Sequence, residues 1–220
     1  MVNVISVANQ KGGVGKTTTT INLAASIADR GYRVLIVDID PQGNATSGLG
    51  IEKSEIDQDI YNVLIDEIPL KDTIHHTSTK KLDIVPATIN LSGAETELIS
   101  MMARETRLKS ALDTVNDDYD FVFIDCPPSL GQLSINAFTA SDSILIPVQS
   151  EYYAMEGGPL LVECAIFSIV APIAHEYMCR IREFSSGIMT CHVIHKERHQ
   201  QILDLFLPFI IEIPFYVSPD

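Results

Sequence analysis

The sequence predicts an α/β fold: a doubly wound, mostly parallel sheet with helices on both faces. Three observations carry that prediction. Short apolar runs of strand length alternate with segments of helical period, the pattern of consecutive βαβ units. The first apolar run leads through a glycine-rich turn directly into a helix-period segment. The 220 residues are 46% hydrophobic and 20% charged, which suits one globular domain and excludes disordered, collagen-like and coiled-coil chains.

Val2–Ala8 reads as the opening strand, and Thr17–Arg30 as the helix that follows. That helix carries Ile21, Ala24, Ala25 and Ala28 at helical spacing and meets Gly31, a residue suited to a left-handed helix end. Arg33–Asp38, Leu82–Pro86, Phe121–Asp125 and Ser143–Val148 are the next strand-length runs. Ser92-Gly-Ala-Glu95 has the spacing of a capping box opening a helix. Arg104–Val115 reads as a further helix, and Pro159–Ala171 and Lys196–Leu207 are expected to be helical in the C-terminal region.

Fifteen Lys and Arg stand against 29 Asp and Glu, a formal charge of −14. That excess repels polyanions at long range and excludes constitutive, patch-wide nucleic-acid binding, while a local basic site formed on assembly stays compatible with it. No apolar stretch approaches the roughly 20 residues that cross a bilayer, so no membrane association is expected. Four cysteines (Cys126, Cys164, Cys179, Cys191) are too few and too irregular for a disulfide scaffold. With a strand-like run starting at Val2 and no leader before it, the expected setting is the reducing cytoplasm.

The chemistry concentrates in Lys11-Gly12-Gly13-Val14-Gly15-Lys16-Thr17-Thr18, between the first strand and the first helix. Glycines let successive backbone N–H groups converge on phosphate oxygens, and the helix N-terminus adds the positive end of its dipole. In that frame Lys16 reaches the β- and γ-phosphates and Thr17 supplies a hydroxyl to Mg²⁺. The general phosphate-loop pattern asks for glycine where Gln10 stands, so the motif is a variant. Asp38 and Asp40 close one strand and Asp125 closes another, at the carboxyl ends where open α/β sheets gather ligands. Asp38 and Asp40 equally suit turn-forming or helix-capping carboxylates ahead of Pro41 and Gly43.

The Lys-Gly-Gly-Val-Gly-Lys-Thr-Thr form resembles the deviant Walker A box of the ParA/MinD ATPases, a P-loop NTPase fold. Asn9-Gln10, Val37-Asp38-Ile39-Asp40-Pro41-Gln42-Gly43-Asn44-Ala45-Thr46 and Pro86-Ala87-Thr88 extend the likeness to the ParA/Soj partitioning branch. Ile124-Asp125-Cys126-Pro127-Pro128-Ser129-Leu130-Gly131 and Pro147-Val148-Gln149-Ser150-Glu151-Tyr152-Tyr153 continue it. The resemblance covers residues 1–157, read as the P-loop ATPase core. Residues 158–220 read as a divergent or truncated C-terminal part of the same domain, whose change of composition a shifted reading frame would also produce.

The resemblance implies a dimerising ATPase switch with ATP and Mg²⁺ as cofactors, acting in chromosome or plasmid partitioning. Lys11, Lys16 and Asp40 become the catalytic set: Lys11 reaches phosphates bound by the other subunit, and Asp40 orients the attacking water. Residues 11 to 18 hold the nucleotide, and Thr17, Asp38 and Asp125 form the metal shell. The implied partners are a second copy across sandwiched ATP, a ParB-type centromere-binding protein and nonspecific DNA. Family arginines for DNA lie mostly in the region where the likeness ends, leaving Arg180, Arg182, Lys196 and Arg198. The asparagine that holds adenine in the family is absent after Ile213-Pro214, where Phe215-Tyr216 stand. A non-hydrolysing nucleotide-binding or decoy protein is the alternative.

Two further clusters carry charged or metal-capable side chains. Arg104, Arg107 and Lys109 read as a solvated helix face, and Met101-Met102 as core filling. Cys179, Cys191, His192, His195 and His199 are metal-capable, with His195 and His199 spaced to share a helical face, but no paired cysteine motif accompanies them.

Overall fold

The computed structural model describes residues 2–149, 177–183 and 188–195. The chain runs β1 (Asn3–Val7), α1 (Lys16–Asp29), β2 (Val34–Asp38), α2 (Asn44–Gly48), α3 (Ile60–Ile65), β3 (His75–His76) and β4 (Leu82–Val85). It continues through α4 (Leu91–Glu97), α5 (Arg107–Asp113), β5 (Phe121–Asp125), α6 (Gln132–Ala140), β6 (Ser143–Gln149), β7 (Tyr177–Glu183) and β8 (Ile188–His195). The sheet order is β3-β4-β2-β5-β1-β6-β8-β7. β4, β2, β5, β1 and β6 are mutually parallel, β3 is antiparallel at one edge, and the β7–β8 hairpin adds to β6 through an antiparallel pairing.

The central strands are apolar throughout because both faces are covered. In β2, Val34 and Ile36 pack with Phe121 and Phe123 of β5 against Leu23, Ala24, Ile27 and Ala28 of α1. Their neighbours Leu35, Val37, Val122 and Ile124 face Leu64, Leu91, Leu108, Leu112, Leu133 and Phe138 on the opposite side. This strict alternation produces the doubly wound arrangement the sequence predicts. Each fully buried Leu or Phe contributes about 1.5–3 kcal/mol relative to exposure.

Topology then fixes where ligands gather. The connection leaving β1 crosses by α1 toward β2, whereas the one leaving β5 crosses by α6 toward β6. The two diverge at the β1–β5 pair, which opens a crevice beyond the strands' carboxyl ends. The register sets Val7 beside Asp125 and Asp125 beside Asp38, so three strand ends converge there.

Several local expectations need correction. Ser92–Glu95 forms no capping box: α4 starts at Leu91 after a helical Asn90 that makes no side-chain cap bond. Glu95 turns instead to α6, where its Oε2 accepts the N–H of Gln132 at 2.6 Å. The reciprocal box is formed by Asp59 and Asn62 at the start of α3. The helix expected over Arg104–Val115 shrinks to α5 because Ala103 is left-handed at φ 52 and Thr106 is not helical. Met101 packs on the core as expected, but Met102 is 89% exposed. His195 ends a strand, so the helical spacing to His199 does not apply. His199, Pro159–Ala171 and Lys196–Leu207 lie outside the described residues.

Candidate functional site

The loop between β1 and α1 is anchored at its start. Asn9 Nδ2 donates to the Pro147 carbonyl at 2.7 Å, tying the loop to β6, while its Oδ1 accepts the N–H of Lys11 at 2.9 Å. Gly13 and Gly15 take φ of 75 and 84, a left-handed backbone that side-chain-bearing residues adopt only with strain. A Cβ placed on Gly12, Gly13 or Gly15 would meet nothing within 4 Å, so the loop borders open space. Gly15 is the N-cap of α1 and offers no side chain to its first-turn N–H groups. Those donors are left for a ligand.

Lys16, only 8% exposed, extends back along the loop to the Lys11 carbonyl, 3.4 Å from Nζ. Lys11 and Thr18 are on the exposed side, and Val14 is buried beneath. Thr17 and Thr20 point down to β5. Thr17 Oγ1 donates to Asp125 Oδ2 at 2.7 Å, and Thr20 Oγ1 lies 3.0 Å from both Asp125 Oδ1 and the Lys16 carbonyl. Asp125 is fully buried, and burial pushes its carboxyl up to about 6 against the opposing hydrogen bonds of Thr17 and Thr20, with Asp40 raising it further.

Asp38, on the neighbouring strand, is also inaccessible. Burial, then the charge of Asp125, raises its carboxyl to about 7. Its Oδ1 accepts the N–H of Asp40 at 3.2 Å, and its Oδ2 accepts the N–H and hydroxyl of Thr46 at 2.9 and 2.8 Å. Asp40 is 8% exposed; its Oδ1 accepts the N–H of Gln42 at 2.9 Å and its carbonyl accepts that of Gly43 at 2.8 Å. Anionic groups concentrated at buried strand ends are costly unless a cation meets them.

The residues fit a phosphate chain with a hard divalent cation. Open glycine backbone, helix N-terminal donors and the Lys16 ammonium suit the phosphates, and the Thr17 hydroxyl above Asp125 is an oxygen pair of the kind Mg²⁺ prefers. Among the described residues no three His, Cys, Asp or Glu side chains are grouped to hold a metal unaided.

The sequence-predicted site residues thus gather on the ends of β1, β2 and β5. Two threonines escaped sequence reasoning. Thr20 had a signal, since it follows Thr17 by one helical turn. Thr46 ends the Val37–Thr46 motif, but its pairing with Asp38, eight residues back across a loop, leaves no pattern of its own. Two of the three members of the basic cluster are otherwise engaged: Arg104 pairs with Glu105, and Arg107 pairs with Glu67 and donates to the Leu64 carbonyl. Cys126 is buried, its thiol pushed up by desolvation. A separate groove of about 440 Å³ is lined by Val63, Leu70, Met102, Arg107 and Ala111, none of them a predicted site residue.

Comparison with known proteins bears on the same residues. A family model described as AAA domain (AAA_31) matches residues 2–169. The chain is 60% identical over 157 residues to the sporulation initiation inhibitor protein Soj of Bacillus subtilis (strain 168), covering 71% of this chain and 62% of that protein. It is 54% identical over 154 residues to the chromosome partitioning protein ParA of Myxococcus xanthus (strain DK1622), covering 70% and 54%. The chain therefore spans less than two thirds of the length of these relatives. Among solved structures it is similar to cobyrinic acid a,c-diamide synthase from Mycobacterium smegmatis with bound ADP and magnesium. There the TM-score is 0.71 at 39% identity, with 79% of this chain and 69% of that one covered. The likeness to the ParA/Soj branch read from the motifs is found again in these alignments.

Proposed function

The chain belongs to the AAA domain family AAA_31, and from that premise we propose that it is a Mg²⁺-dependent ATPase switch of the ParA/Soj type, acting in chromosome or plasmid partitioning. The observation that carries the reading is the open glycine cradle closed by Lys16, with Thr17 and Asp125 paired directly beneath it.

In this reading residues 11 to 18 bind ATP. Backbone N–H groups of the loop and of the first turn of α1 take the phosphate oxygens, and Lys16 swings from the Lys11 carbonyl to the β- and γ-phosphates. Thr17 and Asp125 are the residues that would hold Mg²⁺, which would supply neutralising charge to the phosphate oxygens. Asp40 orients the attacking water with its carboxylate, braced by the Gln42 N–H. Lys11 reaches into a second copy and adds a cation where charge develops. Asp38 entered the sequence-based metal shell, but its three protein donors favour a positioning role.

In this reading two copies would pair face to face across bound ATP in the cytoplasm, and the dimer would engage a ParB-type protein, while the residues beyond 157 give no support for DNA contact. Among the described residues no helix is long and apolar enough to cross a membrane. Sedimentation of the full chain with and without Mg-ATP, run beside phosphate release, tests the reading. A dimer that forms with Mg-ATP and dissipates as phosphate accumulates is expected. A monomer that binds nucleotide without releasing phosphate supports the inert alternative instead.

A further inference from the structure

We propose that Thr46 and Asp38 are positioning residues for Asp40, forming a buried hydroxyl–carboxylate latch that holds the loop after β2 against the segment after β4. The latch itself stands on geometry; its effect on turnover rests on the ATPase reading above.

Thr46 is fully buried, and its hydroxyl is used twice: it donates to Asp38 Oδ2 at 2.8 Å and accepts the N–H of Ala87 at 3.0 Å. A hydroxyl has one proton to give and lone pairs to receive, so this bridge uses both abilities. Asp38 passes the restraint on, because its other oxygen accepts the N–H of Asp40. Asp38 thereby clamps both ends of the loop, at Asp40 and at Thr46, while Thr46 fastens the loop to Ala87.

A second contact brings the same two segments together independently. Gly43 has φ 58, and a Cβ there would stand 2.5 Å from the Ala87 carbonyl oxygen. Glycine at that point lets two backbones touch, and Thr46 bonds across the seam. Asp38 has three donors from its own chain on its two oxygens. Both oxygens are turned to donors of the loop, Oδ2 to Thr46 and Oδ1 to Asp40, which ties Asp38 to Asp40 directly. Asp38 therefore acts through Asp40 rather than on the ion.

Amide hydrogen exchange in the nucleotide-free full chain tests the latch without any turnover. Thr46→Val keeps the shape and deletes the hydroxyl. Exchange at Asp40 and Ala87 is expected to quicken about tenfold or more, consistent with the loss of a buried hydrogen bond, while β1 and β5 amides hold their protection. Thr46→Ser restores both sites. In turnover, Thr46→Val lowers kcat about tenfold with KM within about twofold, since an orienting group is displaced and the phosphate cradle is not. Asp38→Asn keeps the parental Mg²⁺ dependence of binding to a non-hydrolysable ATP analogue. Parental exchange at Asp40 and Ala87 in Thr46→Val overturns the latch, and a raised Mg²⁺ requirement in Asp38→Asn overturns the indirect role of Asp38. Absence of ATP binding in the parent counts against the ATPase reading alone, and the exchange result still decides the latch.

Discussion

The proposed function gives Lys16 and Asp40 separable tasks, which substitution would divide. Lys16 lies along the loop with its ammonium on the Lys11 carbonyl, so in the proposed reading Lys16→Ala removes the buried cation that meets phosphate. Affinity for a fluorescent ATP analogue is expected to fall at least about 100-fold, in line with losing a desolvated charged hydrogen bond. Asp40→Ala leaves the cradle untouched: analogue affinity stays within about threefold of the parent while phosphate release drops about 100-fold, as expected when only transition-state positioning is lost. Retained turnover in Asp40→Ala contradicts its assignment. These residues were legible because each sits in a contiguous motif beside a strand end. Thr46 and Ala87 each fall in a motif of the resemblance, but their contact was not legible, since it joins positions 41 apart in the chain.

At the scale of elements, the parallel strands were legible because burial on both faces demands unbroken apolar runs. Helix ends were not, since tertiary partners override local spacing. Glu95 had the spacing to cap its own helix, yet α6 presents a first-turn N–H that Glu95 meets instead. Short α2 was missed because five residues carry too little periodicity. The β7–β8 hairpin lies between the two helices expected in the C-terminal region, in a stretch to which no element was assigned, so a sheet extension was not foreseen. The entry to α2 offers a test of close packing. Gly43→Ala places a methyl against the Ala87 carbonyl in a left-handed backbone, and neither backbone can yield freely. A loss of about 1–3 kcal/mol is expected from chemical unfolding, and an unchanged midpoint contradicts the close approach.

For the whole molecule, the doubly wound architecture and the ligand-bearing end of the sheet followed from the alternation of elements, but the strand order did not, because it depends on which crossover goes over which neighbour. Convergence of the strand ends has an electrostatic consequence. The Asp38 and Asp125 carboxyls are raised from 3.8 to about 7 and about 6 in the folded chain. The folded state then holds more protons than the unfolded one across this window, so their contribution to stability falls as pH rises from about 4 to about 7. The nucleotide-free chain is expected to melt at lower temperature near pH 8 than near pH 5, with a flatter profile in Asp38→Asn. An equally steep profile in that variant removes Asp38 from the effect.

The exposed His76 has the same sense from a different cause, a gained ion pair instead of burial. Its hydrogen bond to Asp83 raises the imidazole above 6.5, so the ion pair is fully present below that value and is lost as pH climbs through the folded midpoint. An NMR titration should place the His76 midpoint above 6.5 and return it toward 6.5 in Asp83→Asn.

All of these expectations presuppose a phosphate chain in the glycine cradle. Isothermal calorimetry of Mg-ATP into the full, folded chain measures that event directly. The account predicts saturable heat that disappears in Lys16→Ala, whereas a folded sample that takes up Mg-ATP with no heat at several temperatures contradicts it.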